Sequence, residues 1–223
     1  LNIIHETKDI IIVNKPAGQL SQGAKGFDLD LVSEVMTYNA SQGKSAYAAI
    51  INRLDRPVSG LVLIARNKSA AAKYSTLMQK EGGFNKQYEA LICGKLSEPK
   101  GTFVDYLKKD GRTNTSAIVP ADAAANDKDA KLSKLEYEVI SYDEVKDITH
   151  VRIHLITGRH HQIRVQFASR RHPLVGDYKY ATADCGMDNA VKAVALKRNQ
   201  IALCAVSLTV DNKTYSVAPE FLL

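Results

Sequence analysis

Short apolar segments separated by turn residues constrain the fold of this chain most strongly. Strand-like patterns of apolar or alternating residues cover positions 9–13, 60–65, 87–96, 132–142, 148–157, 201–210 and 214–217. Helical patterns are fewer and cover positions 29–38, 69–80 and 159–170. Several neighbouring strand segments are joined by loops too short for a crossover helix, which favours antiparallel or mixed pairing. The pattern therefore predicts an α+β fold, with a mainly antiparallel or mixed β-sheet flanked by helices and loops.

Cap and turn residues set the predicted ends of these elements. Asn67 is placed to cap the helix over residues 69–80, and Gly82 and Gly83 are expected to end it. Residues 211–213 are predicted to form the turn of a hairpin between the last two strands. Glycine, aspartate, asparagine and alanine cluster within residues 100–131, so this segment is predicted to be mostly loop.

Length and composition indicate a globular protein. The chain has 223 residues, of which 45% are hydrophobic, so we expect a single domain over residues 1–223. No apolar run approaches the ~20 residues that span a membrane. The three cysteines form no C-x-x-C pair, which favours a reducing, cytoplasmic setting, and no ligand spacing indicates a metal site. No dinucleotide-binding or P-loop motif is complete, so no cofactor is predicted. The lack of a coiled-coil pattern favours a monomer.

Positive charge is concentrated in one part of the chain. Lys and Arg number 30 against 24 Asp and Glu, a net charge of +6. Residues 151–180 hold six Lys or Arg and one acid, whereas residues 121–150 hold four Lys and eight acids. A cationic face of this kind binds phosphates by releasing counterions. The charge alone leaves nucleic-acid binding and an ordinary solvated surface open.

The segment of residues 52–60, with the sequence N-R-L-D-R-P-V-S-G, leads directly into an apolar strand. Arg53 and Arg56 favour the ionised form of Asp55, and Pro57 restricts the loop. An ionised carboxylate suits a nucleophile or a base and makes a poor general acid. Taken alone, however, this segment favours an ion pair that braces a surface loop over a catalytic site.

Four further segments extend the pattern in a fixed order. Residues 52–60 resemble the R-L-D-x-x-x-S-G signature of the RluA-type pseudouridine synthases. The other similar segments are residues 14–18 (N-K-P-A-G, resembling the opening strand), 86–94 (K-x-Y-x-A-x-x-x-G), 157–164 (T-G-R-x-H-Q-I-R) and 173–177 (P-L-V-G-D, resembling P-I-x-G-D). The resemblance covers about residues 10–210, and several ordered motifs are far more specific than any one of them.

The resemblance implies a pseudouridine synthase fold and the isomerisation of uridine to pseudouridine in RNA, without cofactor or metal. It makes Asp55 the essential carboxylate, Arg164 its ion-pair partner and Tyr88 the residue that contacts the uracil. The Tyr88 ring would stack on the base, and its hydroxyl would take part in proton transfer at C5. Whether Asp55 attacks the ribose or removes a sugar proton to form a glycal stays open. The expected partner is ribosomal or transfer RNA rather than DNA.

The resemblance also implies residues that bind the RNA. Chemistry at the glycosidic bond requires the base to leave its stack, at a cost of about a few kcal/mol. Arg53 corresponds to the family residue that fills the vacated space, and its planar guanidinium can stack on neighbouring bases. Lys86, Arg159 and Gln162 are expected to contact the RNA as well.

The chain departs from the family pattern at four positions. Asn52, Gln166 and Cys204 stand where the family often has His, and Val58 stands where it usually has Thr. None of these changes removes a predicted catalytic residue, so they bear on substrate detail rather than on activity. No segment resembles the S4-type RNA-binding domain that many members carry.

Two other functions are compatible with the residues. One is a non-catalytic basic RNA-binding protein that keeps the cationic face without turnover. The other is a hydrolase that uses Asp55 and a water molecule to cleave the glycosidic bond, for which two converging carboxylates are expected. No second acid lies near Asp55 in the sequence, although folding can bring one close.

Overall fold

The computed structural model describes residues 1–23, 29–80, 83–183 and 185–221. Its strands are β1 (Ile3–Glu6), β2 (Ile10–Lys15), β3 (Ala49–Ile50), β4 (Ser59–Ala65), β5 (Asn85–Cys93), β6 (Lys100–Asp110), β7 (Thr115–Val119), β8 (Lys131–Asp143), β9 (Ile148–Leu155), β10 (Leu203–Val210) and β11 (Lys213–Ser216). Its helices are α1 (Leu31–Ser41), α2 (Lys68–Gln79), α3 (Ala121–Ala124), α4 (Gln162–Ala168) and α5 (Met187–Ala193). These elements confirm the predicted α+β class. No helix in the described ranges is long and apolar enough to cross a membrane.

The chain divides into two compact units, and the first is formed by Leu1–Asn85 with Cys204–Glu220. Its sheet has the strand order β1–β2–β4–β10, with β3 also paired to β4 and β11 to β10. All of these pairs are antiparallel except β4–β10, which is parallel. Every residue of β4 is buried, as its unbroken apolar sequence predicts for a strand inside a sheet.

Two local sequence signals in this unit give the predicted structure. The Asn67 side chain accepts a hydrogen bond from the Ala70 amide at 2.8 Å, so α2 begins directly after the predicted cap. Gly82, predicted to help end this helix, lies outside the described residues. Between β10 and β11, Asp211 and Asn212 have φ values of 47° and 59°, the backbone of a type I′ hairpin turn.

A buried arginine joins three parts of the first unit. Arg66 is 5% exposed and donates hydrogen bonds to Glu6 at 2.6 Å and to Asn39 at 2.9 Å. Lys44 and Tyr38 also donate to the Glu6 carboxylate, at 2.8 and 2.7 Å. The hydrogen bonds from Lys44, Tyr38 and Arg66 together lower the pKa of Glu6 to about 2.

We expect the contribution of Glu6 to stability to disappear in acid. Because its folded-state pKa of about 2 lies below the ordinary 4.5, the contribution is complete above pH 4.5 and is lost as the pH falls through 2. Urea unfolding of the wild type and of Glu6→Gln, from about pH 6 to about pH 2, should give free energies of unfolding that converge in acid. A difference in unfolding free energy between the two proteins that stays constant over this pH range would refute the lowered pKa of Glu6.

The second unit, formed by Lys86–Leu203 with Phe221, contains an antiparallel sheet with the strand order β5–β9–β8–β6–β7. Helix α4 packs on this sheet through Phe167, whose ring lies 5.0 Å from Phe103 and 5.9 Å from Tyr137, centroid to centroid. These edge-on aromatic contacts fix α4 on the core of the unit. Ile163 and Phe167, the two apolar residues predicted to face the core, are both buried.

The prediction that residues 100–131 are mostly loop is wrong. This segment forms β6, β7 and α3. Strand β6 pairs with β8 on one side and β7 on the other, and it buries Phe103 and Leu107 in the core. The strand depends on these long-range pairings, whereas its glycine, lysine and aspartate residues reflect an exposed face and a tight turn. Local composition therefore indicates a loop where pairing between distant residues forms strands.

Candidate active site

The loop that carries Asp55 is held in place by hydrogen bonds within the first unit. Asp55 is half-buried and lies between β3 and β4. The Ser21 hydroxyl donates to the Leu54 carbonyl at 2.7 Å and accepts from the Leu54 amide at 3.2 Å. The Val58 amide donates to the Asp55 carbonyl at 3.1 Å. The backbone around Asp55 is thus fixed by groups other than its own carboxylate.

The two arginines beside Asp55 have different surroundings. Arg56 is tied to Gly18, because its Nε donates to the Gly18 carbonyl at 2.8 Å and its carbonyl accepts from the Gly18 amide at 2.7 Å. Gly18 has a φ of +92°, a backbone conformation that favours glycine. The N-K-P-A-G segment therefore braces the Asp55 loop. Arg53 is exposed to solvent.

Lys15 is a fully buried cation beneath this loop. Its Nζ donates to the carbonyls of Pro16 and Gln19, both at 2.9 Å, and to the carbonyl of Arg56 at 3.4 Å. Burial lowers the pKa of Lys15 to about 8, and the negative charges of Asp55 and Glu220 oppose this shift. Lys15 thus supplies positive charge to the Asp55 carboxylate and fixes the loop that carries it.

We expect the burial of Lys15 to give a distinctive alkaline signature. Its folded-state pKa of about 8 lies below the ordinary 10.5, so the unfolded chain binds more protons between these values and stability rises with pH there. The free energy of unfolding of the wild type, minus that of Lys15→Met, should therefore increase from about pH 8 to about pH 10.5. Taking the difference cancels the titration of other groups. A flat or falling difference would show that Lys15 does not bury its charge.

The start of β4 explains two features of the R-L-D-x-x-x-S-G segment. Gly60 has a φ of +117°, and a Cβ built there would lie 2.4 Å from the carbonyl oxygen of Ala205, so only glycine fits beside β10. Asn52, where the family often has His, is buried and bonds the backbone of β4. Its Nδ2 donates to the Leu61 carbonyl at 3.1 Å, and its Oδ1 accepts from the Leu63 amide at 2.7 Å. This departure from the family pattern is a structural brace.

In the second unit, Arg164 forms a bidentate ion pair with Asp177. Arg164 Nε lies 2.7 Å from one carboxylate oxygen and its terminal nitrogen lies 2.8 Å from the other. Both residues are buried, with relative exposures of 5% and 1%. A planar guanidinium fits a carboxylate in this way, which fixes its orientation as well as its charge. Asp177 therefore determines where Arg164 lies in this unit.

The remaining predicted residues of the second unit lie on β5, in the turn before α4 and at the start of α4. Tyr88 is buried on β5, opposite Ile153 of β9. Gln162 is also buried and braces the turn, because its Oε1 accepts from the Arg159 amide at 3.0 Å. Arg159 is exposed, and burial lowers the pKa of the half-buried Lys86. The RNA contacts of these residues stay predictions.

The predicted catalytic residues are distributed over both units. Asp55 belongs to the first unit, as does the predicted RNA-binding residue Arg53, whereas Tyr88 and Arg164 belong to the second. Their convergence on one uridine stays a prediction. The motifs predict no role for Lys15 or Asp177, although both residues lie within segments that resemble the family. Both residues carry a charge, but their burial cannot be read from their sequence neighbours.

The comparison with known families identifies the chain. A family model for RNA pseudouridylate synthase matches residues 9–169, well over half of the sequence. The chain belongs to this family. The matched range contains the Asp55 loop, Tyr88 and Arg164, and it confirms the resemblance that the ordered motifs carry. Lys15 also lies within it, whereas Asp177 follows it.

Curated relatives agree with membership of the RNA pseudouridylate synthase family. The chain is 33% identical over 182 residues to ribosomal large subunit pseudouridine synthase D of Buchnera aphidicola subsp. Acyrthosiphon pisum, covering 81% of the chain and 55% of that protein. It is 31% identical over 181 residues to the protein of the same name from Haemophilus ducreyi, covering 81% and 52%. The chain thus spans about half the length of the curated relatives it matches.

Solved structures of the family share the fold. The human RNA Pseudouridylate Synthase Domain Containing 4 matches 98% of the chain with a TM-score of 0.78 and 18% identity, and the match covers 88% of that structure. The human RNA Pseudouridylate Synthase Domain Containing 1 matches 99% of the chain with a TM-score of 0.74 and 23% identity, covering 83% of that structure. These similarities establish the pseudouridine synthase fold.

Proposed function

We propose that this protein isomerises uridine to pseudouridine in RNA. The observation that carries the proposal is the family match over residues 9–169, which includes an aspartate loop braced from several sides. In this reaction the bond from the ribose to N1 of uracil breaks, and a bond from the ribose to C5 forms. The C5 proton leaves and N1 takes up a proton, so substrate and product have the same composition.

Asp55 is the proposed catalytic carboxylate. Its ionised form either attacks the ribose or removes a sugar proton, and both routes require the negative charge. Lys15 contributes a nearby positive charge within the same unit. Tyr88 is proposed to stack on the flipped uracil and to take part in proton transfer at C5. Arg164, held by Asp177, is proposed to bind the Asp55 carboxylate and orient it.

The proposed partner is RNA, and the names of the relatives favour ribosomal RNA over transfer RNA. The cationic segment over residues 151–180 supports phosphate binding, and Arg53 is proposed to fill the space that the flipped base leaves. Lys86, Arg159 and Gln162 are proposed to contact the same RNA. We further propose that residues 1–223 act as one catalytic domain, as a cytoplasmic monomer that requires no cofactor.

Nucleoside analysis of treated RNA tests this function. The purified protein is incubated with ribosomal RNA transcripts and with transfer RNA transcripts, which are then digested and chromatographed as nucleosides. Pseudouridine at one or a few positions is the expected result. Free uracil with abasic RNA would instead identify a hydrolase, and bound but unmodified RNA would identify a non-catalytic RNA-binding protein.

A further inference from the structure

A tyrosine outside the predicted site covers the face of the Arg164 guanidinium. The guanidinium carbon lies 5.2 Å from the centroid of the Tyr180 ring, within the range of a cation–π contact. Asp177 binds the edge of the same guanidinium through two hydrogen bonds. A bidentate contact along one edge leaves the guanidinium plane free to tilt about that edge. A ring against its face restricts this tilt.

The Tyr180 ring is itself held by two polar contacts. The Ser116 amide donates to the Tyr180 hydroxyl at 2.9 Å, and the hydroxyl lies 2.6 Å from His161 Nδ1. Because a backbone N–H only donates, the hydroxyl oxygen is the acceptor in the first contact, and its hydrogen is available to His161. Tyr180 is thereby linked to β7 on one side and to the turn before α4 on the other.

The backbone at His161 is unusual and is held from several directions. His161 has a φ of 53°, a left-handed conformation that is uncommon for a non-glycine residue, and its side chain is buried. Its ring stacks on His160 at 3.7 Å and meets the Tyr180 ring edge-on at 5.6 Å. Such a conformation persists where surrounding contacts determine it, and it recurs at functional sites.

We propose that Tyr180 is a positioning residue for Arg164, with His161 and Ser116 holding the ring in place. The role rests on the proposed function, in which Arg164 binds the catalytic carboxylate. In this arrangement, Asp177 sets the direction of the Arg164 guanidinium, and Tyr180 sets its tilt. The ring is the part that acts on Arg164, whereas the hydroxyl serves to hold the ring. A substitution that removes the whole ring and one that removes only the hydroxyl should therefore have different effects.

The test compares Tyr180→Leu, which removes the ring, with Tyr180→Phe, which keeps it. Because a small displacement of a positioned group can cost about 100-fold in rate, Tyr180→Leu should lower kcat about 10- to 100-fold, with the RNA Kd within about 2-fold of the wild type. Tyr180→Phe should stay within about 3-fold of the wild-type kcat, because its ring is retained. Rates are expressed per folded molecule, with the folded fraction taken from urea unfolding curves.

Tyr178→Leu is the matched control. Tyr178 is two residues away, is exposed and bonds Asp188 at 2.7 Å, so its removal should change neither kcat nor Kd. Wild-type kcat in Tyr180→Leu would overturn the proposal. An effect confined to Kd, or an equal loss in the Leu and Phe variants, would overturn it as well.

A second measurement separates this inference from the proposed function. Hydrogen exchange at Arg164 Nε–H, followed by NMR in the protein without RNA, reports on how firmly the guanidinium is held. The signal is assigned by its loss in Arg164→Gln. Exchange should accelerate about 10-fold or more in Tyr180→Leu and by less than about 3-fold in Tyr180→Phe, which keeps the ring but loses the hydroxyl contacts that hold it. Unchanged exchange in both variants would refute the positioning role, even if the wild type proves inactive on RNA.

Discussion

Asp55→Asn is expected to abolish pseudouridine formation, with a loss of at least about 1000-fold in the single-turnover rate. The amide has nearly the shape of the carboxylate but carries no negative charge, so it can neither attack the ribose nor accept a proton. The loop should keep its structure, because Ser21 bonds the Leu54 backbone and Gly18 bonds Arg56 without help from the Asp55 carboxylate. RNA affinity should therefore stay close to that of the wild type.

Asp122→Asn provides a control for the loss of one negative charge. Asp122 is exposed on α3, and its substitution should leave both the rate and the unfolding midpoint unchanged. The rate is measured by nucleoside analysis of RNA incubated with excess protein, and RNA affinity by filter binding. An Asp55→Asn protein that fails to bind RNA would indicate a structural role for the carboxylate instead.

Asp177→Asn is expected to destabilise the protein by about 3–5 kcal/mol, because it leaves the buried Arg164 charge without its carboxylate. The pair is almost completely removed from water, with relative exposures of 5% and 1%. Water therefore cannot compensate for the lost partner. Turnover should fall as well, since Asp177 directs the guanidinium that is proposed to bind Asp55. Urea unfolding measures the first effect, and the rate per folded molecule measures the second.

Glu138→Gln is the matched control for this ion pair. Glu138 pairs with Lys100 at 2.9 Å on the surface, with side-chain exposures of 51% and 72%. Its removal should cost less than about 1 kcal/mol, because exposed ion pairs contribute little. Equal losses of unfolding free energy in Asp177→Asn and Glu138→Gln would show that burial does not make the Arg164–Asp177 pair more stabilising than an exposed pair.

Elements with a strong local signal are the ones that the sequence predicts. Strand β4 follows from an unbroken apolar run, the start of α2 from the Asn67 cap, and the last hairpin from Asp211 and Asn212. In each case the physical cause acts within a few residues of the chain. The Asp55 loop is found differently, through the resemblance of its contiguous motif and of the other ordered motifs to the family pattern.

The features that the sequence does not predict depend on contacts between distant residues. Strand β6 is stabilised by its pairing with β8, which lies far away in the sequence. Its own composition therefore does not show that it forms a strand and indicates a loop instead. Lys15 is fully buried, although lysine is almost always exposed, because three carbonyls converge on its ammonium group. Asp177 and Tyr180 reach Arg164 only once α4 and the following segment are folded. Sequence motifs therefore identify the proposed catalytic residues but not the residues that hold them.

Tritium release from RNA labelled at C5 of uridine is the most direct test of Asp55 as the catalyst of isomerisation. Forming the new bond at C5 displaces the label into water, while the uracil ring stays attached to the RNA. The wild type should release tritium without free uracil, and Asp55→Asn should release none above background. Equal release by the two proteins, or release of uracil by the wild type, would contradict the proposed reaction.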